Sequence, residues 1–131
     1  MIEPAIRHPQ KAAIEILADR LGLPKAQSQQ DWEFEVAEAF ELPRYLALYQ
    51  EVQGEDDLRF VLADIIIQAF EDSDFELSEN VDWLTFLSFL ADRIDIHGWQ
   101  IWYWASWEVE LEDAWRVSPF MRALCETHFV D

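Results

Sequence analysis

Asp56 to Asp72 reads DDLRFVLADIIIQAFED. Leu58, Val61, Leu62, Ile65, Ile66, Ala69 and Phe70 recur at the spacing of one face of an α-helix. Asp57, Asp64, Gln68 and Glu71 fall on the other side, so the stretch predicts an amphipathic helix with Asp64 on its solvated face. Acids at Glu55, Asp56 and Asp57 suit the positive end of the helix dipole, whereas Glu71 and Asp72 stand at the end that disfavours them.

Outward from this stretch the same spacing recurs. Tyr45, Leu48, Tyr49 and Val52 predict a helix from about Pro43, closed by Gly54. Ala13, Ile14, Leu17 and Leu21 predict another, with Pro9 in its first turn and Gly22 and Pro24 stopping it. The Gln and Ser of residues 25–30 read as a linker. On the C-terminal side Asn80 is placed to cap a helix through Trp83, Phe86, Leu87, Phe89, Leu90 and Ile94, which Gly98 ends. So apolar a helix is expected at the centre of the fold. Ser118 as the cap and Pro119 in the first turn open a closing helix that turns Phe120, Met121, Leu124 and Cys125 inward.

Two segments alternate at period two instead. Trp32-Glu33-Phe34-Glu35-Val36 does so, and so does 101–111, with Ile101, Tyr103, Ala105, Trp107, Val109 and Leu111 on one side. Alternation of aromatic and branched residues argues for strands, with helix resuming after about Glu112. Trp104, Trp107, Leu111 and Trp115 also fit a helical stripe, which keeps a helical reading open for the second segment. The expected fold is thus mainly α, a single-domain helical bundle with room for a small two-stranded β element, and α+β as the alternative. At 131 residues the chain has the size of one domain.

The two segments echo each other. Residues 32–40 read WEFEVAEAF and residues 107–115 read WEVELEDAW. Pairing them would set Glu33, Glu35, Glu108 and Glu110 on one outward face, where like charges across a ladder repel unless a cation relieves them.

Charge points the same way. The chain holds 27 Asp and Glu against nine Lys and Arg, a formal net charge of −18, yet is 51% hydrophobic with seven Trp. That apolar fraction separates it from disordered acidic chains. Residues 1–25 are net +1 and residues 26–131 net −19. Such a field attracts cationic partners and repels nucleic acid and anionic membrane.

Catalytic and metal constellations were weighed on the same residues. No Gly-x-Ser-x-Gly turn or Gly-rich phosphate loop occurs among the three glycines. Cys125 and His128 are three apart on a predicted helix, short of a zinc ligand set, and His8 and His97 stand alone. The acids at 71–76 lack the alternating ligands and central Gly of a calcium loop. No enzyme activity, cofactor or metal is therefore expected. The single cysteine and the absence of a secretory start suit a cytoplasmic protein.

In size, in composition, and in the stretches Asp31 to Val36 and Glu55 to Asp72, the chain resembles the acidic immunity proteins of bacterial toxin systems. The resemblance implies an inhibitor that binds a basic toxin domain, such as a nuclease, and occludes its substrate-binding surface. The residues expected to meet that partner are Glu33, Glu35, Glu71, Asp72, Asp74, Glu76, Glu108 and Glu110, with Trp102 and Trp104 as aromatic anchors. A DNA-mimic regulator of a DNA-binding protein is the alternative of similar physics. A carboxylate-based enzyme or metal-binding protein is the alternative of another class.

Overall fold

The stretch 56–72 is the helix its spacing predicts. In the computed structural model, which describes residues 1–24 and 31–130, it forms the longest of seven α-helices, with no strand among the described residues. The helices are α1 (Lys11–Leu21), α2 (Trp32–Glu35), α3 (Leu42–Glu51), α4 (Asp56–Glu71), α5 (Val81–Asp92), α6 (Ile94–Ala105) and α7 (Ser118–His128). Short 3-10 turns occupy Ala39–Glu41, Leu77–Glu79 and Leu111–Asp113. The mainly α expectation holds; the two-stranded element does not form. The 25–30 segment read as a linker lies outside the described residues. No helix among the described residues is long and apolar enough to cross a membrane.

The chain divides into two compact units, one of residues His8–Ser73 and one of Met1–Arg7 with Asp74–Asp131. In the first, α1, α2 and α3 all pack on α4. Every residue of α4 from Leu58 to Ile67 is buried, including Arg59 and Asp64. The solvated face expected for Asp64 is therefore corrected: three neighbouring helices pack on α4, and Arg59 and Asp64 are enclosed with its apolar residues. Arg59 donates from Nε to the Tyr49 carbonyl at 3.2 Å, with its guanidinium 4.1 Å from the Tyr49 ring centre. Gly22 ends α1 in the left-handed region at φ 67°, as a glycine stop requires. Pro9 precedes the N-cap Gln10, two residues before the first turn expected for it. Beyond the end of α1, Trp32 is buried and its indole N–H donates to the Pro24 carbonyl at 2.8 Å, fixing the start of α2.

The second unit is built on α6, which packs against α5 and α7. Asn80 caps α5 as expected, its side chain accepting from the Trp83 amide at 2.9 Å. The helix beginning there does not run to Gly98: it stops at Asp92, Arg93 leaves helical geometry at φ −127°, and α6 starts at Ile94. Nor is α5 enclosed, since Val81 and Leu84 are exposed. Gly98 lies inside α6 because the N-terminal segment crosses there. A Cβ on it would stand 3.4 Å from that of Pro4 and 3.6 Å from the Phe129 ring. The Ile2 amide donates to the Phe129 carbonyl at 2.6 Å, closing residues 1–7 onto the end of the chain as a strap.

The segment read as a strand from Ile101 is the second half of α6. Ile101, Trp104 and Ala105 are buried at helical spacing while Tyr103 is exposed. Packing on more than one side makes most α6 positions apolar, and a nearly continuous apolar run carries both periods at once. Ser118 is the first residue of α7 and not its cap, its hydroxyl donating to the Trp104 carbonyl at 2.7 Å.

Candidate partner-binding site

After α6 the chain turns at Ser106, which takes the left-handed region at φ 55°. Arg122 of α7 holds this turn. Its Nε donates to the Ala105 carbonyl at 2.7 Å, and its Nη2 to those of Ser106 at 2.7 Å and Val109 at 2.8 Å. The same guanidinium lies 4.9 Å from the Trp107 ring centre. Helix ends leave carbonyls without partners, and one planar five-donor group here reaches the last carbonyl of α6 and two in the turn beyond it. The Ser106 hydroxyl donates to Glu108 at 3.2 Å.

Held in this way, Glu108, Glu110, Glu112 and Asp113 are all exposed, and none meets a cationic side chain among the described residues. Val109 and Leu111 between them are 39% and 46% exposed. The turn thus presents four carboxylates and two apolar side chains on a backbone fixed before any partner arrives. Glu108 and Glu110 were legible as outward residues. Glu112 and Asp113 were missed because helix was expected to resume there, although the acid run itself was a signal.

Several expected site residues lie elsewhere. Trp104 is 1% exposed and packs against Trp115 at 4.7 Å between ring centres, so it belongs to the core and anchors no partner. Trp102 is half-buried between Trp107 at 5.9 Å and Phe129 at 6.2 Å. The alternation that sent both outward belongs to a strand, and on a helix Trp104 turns inward.

Glu33 is corrected most sharply. Expected outward, it is 4% exposed, and its Oε2 has no hydrogen-bond partner. Burial, reinforced by the charges of Asp31 and Glu35, raises its pKa above the usual carboxylate value, against the opposing pull of its own backbone N–H. In the helical turn of α2, Glu33 follows Trp32 into the buried side, while Glu35 stays exposed. Neither echoed segment is extended, so the ladder that would juxtapose their carboxylates does not exist.

The acids at 71–76 form no common cage. Glu71 is half-buried; Asp72 accepts from Gln68 Nε2 at 2.9 Å, a bond that accounts for an acid at this helix end. Asp74 and Glu76 are exposed, and Glu76 accepts from the Ser78 hydroxyl at 3.0 Å. Among the described residues no three His, Cys, Asp or Glu gather in a metal-holding geometry. Cys125 is fully buried, and burial pushes its thiol up to about 11, which suppresses the thiolate at neutral pH. The chain matches no known protein family, no curated protein and no solved structure.

Proposed function

We propose that this protein is an acidic protein-binding inhibitor, of the immunity type, that blocks a basic toxin domain by covering its substrate-binding surface. The observation that carries the reading is the Arg122-braced turn with its four uncompensated carboxylates. A fixed anionic surface costs little ordering on binding, which favours tight association. In the proposed complex Glu108, Glu110, Glu112 and Asp113 take positions that substrate phosphates would occupy in a nuclease groove. Val109 and Leu111 make the dry contact between them. Opposite fields steer such pairs together at up to about 10⁸ per molar per second at low salt.

The test compares the wild-type chain with a variant carrying Lys at positions 108, 110, 112 and 113 as baits at low and high salt. The expected result is a basic protein retained by the wild type at low salt, lost from the variant, and inactive on its own substrate while bound. Identical captures by the two baits would contradict the reading.

A further inference from the structure

A second surface, on the unit formed by His8–Ser73, has a different composition. Phe40 is 77% exposed, more than any other large apolar side chain among the described residues. It does not hang from a loose segment. The 3-10 turn Ala39–Glu41 that carries it packs on α3 and α4, and the Glu38 amide just before it donates to the hydroxyl of Tyr45, itself 1% exposed, at 3.2 Å. Holding a large apolar side chain in water forgoes the gain of burying it, so a turn built to do so invites an occupant.

The acids of the same segment indicate which one. Glu35 and Glu38 are exposed and meet no cation among the described residues, whereas Glu41 pairs with Arg44 at 3.1 Å. Glu33, enclosed on the adjacent α2, keeps one carboxylate oxygen without a donor. A buried acceptor in that condition is costly to leave unmet, and a donor from outside would recover the loss. A second copy of this chain is disfavoured as occupant, because its charge of −18 repels an acid-rimmed face.

We propose that residues 31–41 form a docking surface for a cationic protein, with Phe40 entering an apolar pocket on the partner and a Lys or Arg from that pocket's rim reaching the open oxygen of Glu33. This rests on the reading that the chain binds basic proteins, and adds a second surface with its own chemistry of recognition. Phe40 supplies the central buried contact typical of interface hot spots, and Glu35 and Glu38 supply the polar rim. Reaching Glu33 requires local opening of α2, an element of four residues.

Two probes separate this surface from general acidity: a short peptide of alternating Lys and Leu, and oligolysine of equal charge. Each is titrated into the isotope-labelled full chain at low salt, with backbone amide shifts as the readout. The Lys/Leu peptide is expected to bind about tenfold more tightly than oligolysine and to shift the amides of 31–41. Phe40→Ser should erase that difference with the helical spectrum unchanged, since the side chain is exposed. Glu33→Gln should weaken the Lys/Leu peptide by about tenfold at neutral pH and leave oligolysine unaffected. Equal binding of the two peptides, unaltered by either substitution, overturns this surface and leaves the proposed function standing. No binding of either peptide overturns both. Self-association of the chain through Phe40 in sedimentation would assign the surface to a second copy and overturn the proposal as well.

Discussion

At position 33 a carboxylate lies buried on a four-residue helix, with burial and two neighbouring acids holding its pKa above the ordinary value. As pH rises, an unfolded chain gives up this proton near the usual pKa while the folded chain still holds it. Stability therefore falls through the window between the two values, and the loss is complete above the folded one. Glu33→Gln is expected to raise the melting temperature at neutral pH, because the amide cannot ionise in the buried site. Thermal melts of the two proteins should converge below the ordinary carboxylate pKa; a constant difference at every pH would show that ionisation is not the cause. The sequence marked Glu33 as notable for the wrong reason. Over five residues, Trp-Glu-Phe-Glu-Val fits a strand as well as a turn of helix, and what decides is remote: Trp32 donating to Pro24 and α2 lying on α4. Asp64 was misread for a related reason, since spacing gives the face of a helix but not how many neighbours surround it.

Among the elements, α1, α3, α4 and the start of α5 were legible because each carries both a 3.6-residue stripe and local punctuation. The boundary between α5 and α6 was not, because Gly98 imitates a helix stop. Its real role is set by a segment more than ninety residues away in sequence, the strap at Pro4. Gly98→Ala is expected to be tolerated, with its Cβ in ordinary contact and the helix gaining up to ~1 kcal/mol of propensity. Gly98→Leu should push the strap away and speed hydrogen exchange at the Ile2 amide; retained protection there would refute the crossing. The turn after α6 depends on one side chain in the same non-local way. Arg122→Met removes three charge-assisted hydrogen bonds from the turn, and a loss of about 3 kcal/mol in urea unfolding is expected, with faster exchange at the Val109 amide, which donates to Ser106. A stability change within a few tenths of a kcal/mol would show that the turn stands without it.

For the whole molecule, composition disclosed a folded, strongly anionic chain but not how its acids are distributed. The non-contiguous unit of Met1–Arg7 and Asp74–Asp131 leaves no mark in local pattern, because it depends on the two chain ends meeting at Ile2 and Phe129. The paired face imagined from the Trp-Glu echo dissolved once both segments proved not to be strands. What replaced it are two surfaces of similar chemistry, each with its own support: Glu108 to Asp113 on the Arg122-braced turn, and the Phe40 segment held by Tyr45. Five of the seven Trp lie between 99 and 115, and those of this group with ring contacts to each other, Tyr103 or Phe129 meet them edge-on or tilted. In the proposed complex this turn meets a cationic protein through its field. The most direct measurement is the association rate of the captured basic partner across ionic strength, for the wild type and for the chain with Lys at 108, 110, 112 and 113. The wild-type rate is expected to fall about tenfold or more from low to physiological salt, with the variant slow and nearly salt-independent. Equal rates and equal salt slopes for the two proteins would contradict the claim.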